Sequence, residues 1–220
     1  MRSVFSLLIF LFTLSSLSAQ DVFKHERLTE LWSTDQVLKV PESVFHDADD
    51  NLLYVANING KPTDKDENGF ISKLDMDGTI LEMEWITGLH APKGMGKAGD
   101  KLYVTDIDRV AEIDLKTAKI IRYYEAGGAK FLNDISVDKT GTVYISDMQT
   151  NKIHRIADGK LEVWLESEKL DTPNGLFVEG DALLIGISGS VLSVDLNEKK
   201  ISELITDTGS IDGLEAAGNG

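Results

Sequence analysis

The sequence predicts an all-β fold, a β-propeller built of four-stranded blades, and three observations predict it. A phrase made of a short polar turn, an apolar segment and an alternating strand recurs along the chain. Its period is roughly forty residues, the length of a propeller blade. Each interval holds three further short runs rich in β-branched and aromatic residues, and no helical periodicity of comparable length competes with them.

The chain of 220 residues opens with Arg2, an apolar run from Val4 to Leu14, and the small residues Ser15, Ser16, Ser18 and Ala19. That order of basic, apolar and small residues is the pattern of a secretory signal peptide, with cleavage expected near Ala19. The apolar run is well short of the ~20 residues needed to cross a bilayer. The expectation is therefore a signal peptide over 1–19, a propeller domain over 20–220, a periplasmic or extracellular location and no membrane span after removal of the signal.

The repeats begin at Pro41-Glu42-Ser43-Val44, Pro92-Lys93-Gly94-Met95, Leu132-Asn133-Asp134-Ile135, Pro173-Asn174-Gly175-Leu176 and Ile211-Asp212-Gly213-Leu214. Their second residues lie at 42, 93, 133, 174 and 212, spaced by 51, 40, 41 and 38. Within each interval a first strand is expected at 52–55, 102–104, 143–145 and 183–185. A second is expected at 70–74, 110–113, 153–156 and 191–194, and a third at 80–85, 120–124, 161–164 and 201–204. Turn residues fall between them at Asp77-Gly78, Thr140-Gly141, Asp158-Gly159 and Gly180-Asp181.

The first interval is longer because it carries the polar insert Lys61 to Gly69, expected to be a surface loop. Asp64, Asp66 and Asn68 alternate there like the start of a calcium loop, and Gly69 fits its sixth position. Its twelfth is Asp75 rather than Glu, and no helices flank it. Four full repeats and the start of a fifth fall short of a comfortable ring. The expectation is a C-terminally incomplete propeller whose Glu30-Leu31-Trp32-Ser33 would serve as an outer strand of a last blade.

Composition narrows the chemistry. The absence of cysteine removes disulfides and thiolate metal sites, so any metal must be held by oxygen or imidazole. With 37 acidic against 22 basic residues the formal charge is −15, and no basic stripe interrupts it. Nucleic acid and anionic membranes are poor partners for such a surface. There is no phosphate-binding glycine loop and no serine-nucleophile elbow. Of the histidines, His90 lies near an anchor and could serve as acid or base or make ordinary loop hydrogen bonds. His25, His46 and His154 form no constellation.

Inner strands of a propeller begin near the central channel, so residues at equivalent starting positions converge on one axis. That would gather Glu42, Asn133, Asn174 and Asp212, a hard-oxygen set suited to Ca²⁺ or a similar divalent ion. Asn and Asp in turns also bond their own backbone. The anchors differ as Glu, Lys, Asn, Asn and Asp, which is more than turn formation alone asks of them.

From about Pro41 onward these phrases resemble the senescence-marker protein/gluconolactonase/regucalcin-like six-bladed propellers. The match rests on Pro41-Glu42-Ser43, on Asn133-Asp134 with Val137-Asp138 and Gly141, on Pro173-Asn174-Gly175-Leu176 and on Asp212-Gly213-Leu214. The resemblance implies a divalent metal, Ca²⁺ first and Mn²⁺ or Zn²⁺ as alternatives, held by Glu42, Asn174 and Asp212. It implies that Asn133 contacts the substrate or metal-bound water, that Asp212 is a general base, and that the reaction is hydrolysis of a lactone or ester by a monomer. Where family sugar lactonases carry an Arg two residues before Asn133 this chain has Phe131, and where they carry a Glu after the next strand it has Asn151. Both departures point away from an aldonolactone and toward a more apolar ligand near Phe131. Lys93 brings an ammonium to the same region, as a substrate-binding group or a solvated lysine of the rim. The alternatives are a non-catalytic propeller binding a small ligand or protein on its top face, and metal-free lyase chemistry of the strictosidine synthase type.

Overall fold

Every alternating run becomes a strand. The computed structural model describes residues 29–216, and by internal contacts the chain divides into residues 1–33 and 34–220. The signal-peptide reading of 1–19 lies outside the described residues. In the second unit the first blade is β1 (Pro41–Asp47), β2 (Leu52–Asn57), β3 (Gly69–Asp75) and β4 (Ile80–Leu89). The second is β5 (Pro92–Ala98), β6 (Lys101–Asp106), β7 (Arg109–Asp114) and β8 (Lys119–Glu125). The third is β9 (Leu132–Val137), β10 (Val143–Asp147), β11 (Lys152–Ala157) and β12 (Lys160–Glu166). Each is an antiparallel meander with its strands in chain order.

The fourth sheet holds β13 (Leu176–Glu179), β14 (Ala182–Asp195) and β15 (Ile201–Ser210). Fully extended, a strand as long as β14 would span ~45 Å. Yet the amide of Leu196, just past its end, donates to the carbonyl of Asp181, just before its start, at 2.9 Å. The corresponding bond from Leu115 to Asp100, at 3.1 Å, closes the β6–β7 hairpin. β14 is therefore a hairpin that reverses near Gly189, whose φ of 85° belongs to the left-handed region that glycine enters freely. The fourth blade thus keeps the four-strand plan. The strand expected before the first repeat, Glu30 to Ser33, is not formed, and the start of the fifth phrase, Ile211 to Ala216, is not in a strand either. A strand needs a partner's ladder, and none pairs with either segment among the described residues.

The core is divided among the seams between blades. Tyr54, Ile71 and Trp85 of the first blade pack with Leu102, Val104 and Ile113 of the second. Tyr103, Val110 and Tyr124 meet Ile135, Val143 and Ile145 of the third. Tyr144, Ile153 and Trp164 meet Leu183, Ile185 and Leu192 of the fourth. The insert is a surface loop as expected, and its Asp66 and Asn68 bond each other, the Asn68 amide donating to the Asp66 carboxylate at 2.7 Å.

Neighbouring blades are tied near their inner strands by side chains rather than by a backbone ladder. Ser43 Oγ donates to the carbonyl of Lys93 at 2.6 Å, and Thr105 Oγ1 to that of Asn133 at 2.7 Å. Asp134 accepts from the amide of Leu176 at 2.7 Å, and Ser136 Oγ from that of Val178 at 2.9 Å. A second device recurs within blades: the second strand ends in a fully buried acid or amide that grips the loop feeding the inner strand. Asn57 accepts from the amide of Lys39 at 2.9 Å, and Asp106 from those of His90 and Ala91 at 2.8 Å. Asp147 accepts from Phe131 at 3.0 Å and Lys130 at 3.2 Å.

Close approach of blades demands glycine at one seam in particular. A Cβ on Gly94 would fall 2.5 Å from the carbonyl oxygen of Asn133 and 2.6 Å from the Cα of Asp134, both backbone atoms. Gly213, at the equivalent place in the last phrase, has nothing within 4 Å. Gly94→Ala is expected to cost about 1–3 kcal/mol in urea unfolding, as overpacking does. Gly213→Ala is expected to stay within about 0.5 kcal/mol of wild type. Equal effects would show that the seam does not set the stability.

Candidate functional site

Because inner strands run side by side, the residues that open them share one end of the channel. Glu42 opens β1, Asn133 opens β9, Asn174 precedes β13, and Asp212 follows β15. The four line a single cavity of about 120 Å³ together with Ser43 and Asp134. Asn133 Nδ2 donates to Asn174 Oδ1 at 2.6 Å, and Asn174 Nδ2 donates to Asp212 Oδ1 at 2.9 Å. This chain of amide and carboxylate groups links the third blade, the fourth blade and the segment beyond it. Asn133 is nearly buried, at 6% exposure, with its carbonyl fixed by Thr105.

Negative charge accumulates there. Glu42 has its pKa raised to about 7, first by desolvation within the concavity and then by Asp212 and Asp134, with Lys93 opposing. The side chain is nonetheless exposed by surface area, so the channel walls crowd it without sealing it. Asp134 is raised to about 6 by burial, although the amides of Leu176 and Ile135 pull it back, while Glu215 and Asp212 add repulsion.

Lys93 and Phe131 do not join the four anchors in lining this cavity. Nor is Lys93 a solvated rim lysine: it is 1% exposed. Its Nζ donates to the carbonyls of Ala91 at 3.0 Å and Pro62 at 3.1 Å, and it stands 4.5 Å from the centre of the Phe131 ring. Burial lowers its pKa, with Glu42 and Asp106 opposing. The position was misread because the insert that supplies Pro62 and the ring that supplies Phe131 come from other blades. His90 serves its loop, its Nδ1 accepting from the amide of Glu67 at 3.2 Å. Sequence reasoning also missed Asp147, whose signal was the acidic residue that ends an alternating strand. Burial alone would raise this carboxyl, but hydrogen bonds from Thr150, Phe131 and Lys130, with the His154 ring nitrogen 3.8 Å away, hold it at about 2.

The set can be tested against the metal that the family resemblance implies. Among the described residues no three His, Cys, Asp or Glu side chains stand close enough to share an ion. Any cation at the mouth would therefore take amide as well as carboxylate oxygens. Which end of the Asn174 amide faces Asp212 is decided by a half-turn of the terminal group. That turn exchanges oxygen for the nitrogen now 2.9 Å from Asp212 Oδ1. Three carboxylates and two amides facing one cavity, with Glu42 and Asp134 raised first by burial and then by neighbouring acids, suit a hard divalent cation.

Glu42 gives a pH signature. Its folded pKa is raised, so its stabilising contribution is complete below about 4.5 and is lost as the pH rises through about 7. Glu42→Gln removes the loss. Urea unfolding in chelator is expected to show no advantage for the variant at pH 4 and a gain of about 1 kcal/mol at pH 8, after allowance for solvent screening. A gain of the same size at both pH values would mean that Glu42 is not crowded by charge.

No family model matches the sequence, and no curated protein matches it. Solved structures do. The chain is similar to a catalytically inactive virginiamycin B lyase from Staphylococcus aureus with quinupristin, at 17% identity and a TM-score of 0.62, over 79% of this chain and 58% of that one. It is similar to a chain of a nidogen/laminin complex at 21% identity and a TM-score of 0.62, over 81% and 68%. A computationally designed protein matches at 12% identity and a TM-score of 0.57, over 81% and 53%. The chain spans 58% and 55% of the length of two lyase structures it matches. Likenesses at these identities bear on the fold alone, and the fold they share with this chain is the β-propeller.

Proposed function

We propose that the protein is a secreted, divalent-metal-dependent hydrolase of the gluconolactonase type, acting on a lactone or ester. The observation that carries the reading is the convergence of Glu42, Asn133, Asn174 and Asp212, from four places in the chain, on one cavity. Glu42, Asn174 and Asp212 would hold the metal, with Ca²⁺ preferred because all donors are hard oxygens. When bound, such an ion supplies positive charge for a developing oxyanion and lowers the pKa of water.

The chain's own residues do the rest. Asn133, nearly buried and fixed through its backbone by Thr105, offers its amide to the substrate carbonyl from a rigid strand. Asp212 is exposed at the mouth, where its carboxylate takes the proton from attacking water. Phe131 replaces the Arg of family sugar lactonases, and the ammonium of Lys93 over its ring is already shared between two carbonyls. This favours a more apolar substrate over an aldonolactone. One observation favours the second reading, a non-catalytic binding propeller: Asn174 is hydrogen-bonded to both Asn133 and Asp212, a network complete without an ion.

Calorimetric titration of the full chain with Ca²⁺, Mn²⁺ and Zn²⁺, with Asp212→Ala as control, tests the reading. Wild type is expected to bind one ion and Asp212→Ala to bind at least tenfold more weakly. Hydrolysis of lactones and aryl esters should then follow ion occupancy. Ion binding without turnover of any lactone or ester would favour the binding module, and no ion binding at all would remove the hydrolase mechanism.

A further inference from the structure

The candidate ligand and substrate residues Asn133 and Asn174 belong to different blades, yet the hydrogen bond between their side chains is only 2.6 Å long. Asp134 ties the two strands directly through the amide of Leu176. Asp147, at the end of β10 and 0% exposed, reaches both entry loops as well, the first directly and the second through Thr150 and Asn151.

One arm from Asp147 runs to Asn133. Its Oδ1 accepts from the amide of Phe131 at 3.0 Å and its Oδ2 from that of Lys130 at 3.2 Å. The amide of Met148, next to Asp147, donates to the carbonyl of Phe131 at 3.0 Å. The loop that enters β9 two residues before Asn133 is thus gripped on both polar groups of one peptide-bearing residue.

The other arm runs to Asn174. Asp147 Oδ2 accepts from Thr150 Oγ1 at 2.5 Å, which fixes the turn carrying Asn151. Asn151, with φ 55°, presents its Oδ1 to the amide of Thr172 at 3.1 Å. Thr172 has φ 50°, a left-handed conformation that a β-branched residue adopts only when its surroundings impose it. It immediately precedes Pro173-Asn174, so the turn delivering Asn174 is held strained by a side chain of the preceding blade.

We infer that Asp147 and Asn151 are positioning residues that set the Asn133–Asn174 pair at the channel mouth. This gives Asn151, which stands where family sugar lactonases carry a Glu, a task in this chain: it supports the neighbouring blade's turn. The inference deepens the metal-site reading and rests on it for its effect on ion affinity, but the placement of the two amides is open to separate measurement.

The test compares Asp147→Asn and Asn151→Ala with Asp138→Asn. Asp138 organises the turn at the opposite end of β10, accepting from Thr140 and Thr142, and has no route to the mouth. Calorimetry with Ca²⁺ alone is expected to show about tenfold weaker binding for Asp147→Asn and Asn151→Ala. Asp138→Asn should bind as wild type does even if its melting temperature falls. The side-chain amide resonances of Asn133 and Asn174 in ¹H–¹⁵N spectra without metal should shift in the first two variants and stay in place in the third. If wild type binds no Ca²⁺, the metal reading fails while the resonances still decide the positioning role. Unchanged resonances in both variants, or equal weakening by Asp138→Asn, would overturn it. Should Asp147→Asn not fold, Asn151→Ala, which removes a hydrogen bond at the surface, carries the test.

Discussion

Adjacent blades share no backbone ladder among the described residues, and the seam between them is bridged by side chains reaching across to the next blade's peptide groups. Ser43, Thr105, Asp134 and Ser136 make these links, each to a carbonyl or amide of the neighbouring blade. Such bonds contribute about 0.5–1.5 kcal/mol apiece when formed, and leave a buried peptide group unpartnered when lost. Their larger effect is registration. Glu42, Asn133 and Asn174 are themselves linked or lie one or two positions from a link, so fixing the seam fixes that part of the site. Apolar burial drives the blades together, but it has no direction along the strand; the links supply it.

The mouth itself runs against the grain of stability. Carboxylates in a concavity with little counter-charge resist ionisation, and Glu42 and Asp134 both hold their protons well above the usual carboxylate range. The nearest ammonium, Lys93, is shared with two carbonyls and an aromatic ring, which limits how much of that repulsion it can cancel. Asp147 shows the opposite arrangement: a buried carboxylate with enough donors is kept ionised. The contrast between Asp147, held by three donors beneath the site, and Glu42, crowded within it, separates scaffold from candidate chemistry, while Asp134, which accepts from Leu176 and Ile135, belongs to both.

Most of the fold was legible because a blade is encoded locally. Alternation within a strand and turn residues between strands belong to one stretch of sequence, and repetition at blade spacing averages out local ambiguity. The strands at 183–185 and 191–194 were expected as two runs, although the turn at Gly189 between them was not among the turns named from the sequence. That the four anchors would face one cavity was readable from spacing, since equivalent positions of successive blades share an axis. What could not be read is whatever a neighbouring blade supplies. Lys93 looks solvated beside Pro92 and Gly94, and only the carbonyl of Pro62 and the ring of Phe131 reveal it as buried. Asp147 looks like a strand-ending acid, and its reach to Thr172 through Thr150 and Asn151 crosses a blade boundary that no periodicity marks. Glu30 to Ser33 has strand composition without a ladder to join.

The crowding around Gly94 also has a geometric meaning. How closely two blades approach at the axis, relative to their separation at the rim, sets the wedge angle between them, and that angle decides how many blades complete a circle and how wide its channel is. With backbone atoms of the third blade 2.5 and 2.6 Å from where a Cβ would stand, the second and third blades meet about as tightly as a polypeptide allows. A Cβ on Gly175 would likewise stand 2.9 Å from backbone atoms of Gly213. The closeness of these blades therefore depends on a few hydrogen atoms, and a methyl group in place of the one on Gly94 would press directly on Asn133 and Asp134, moving the cavity wall along with the seam.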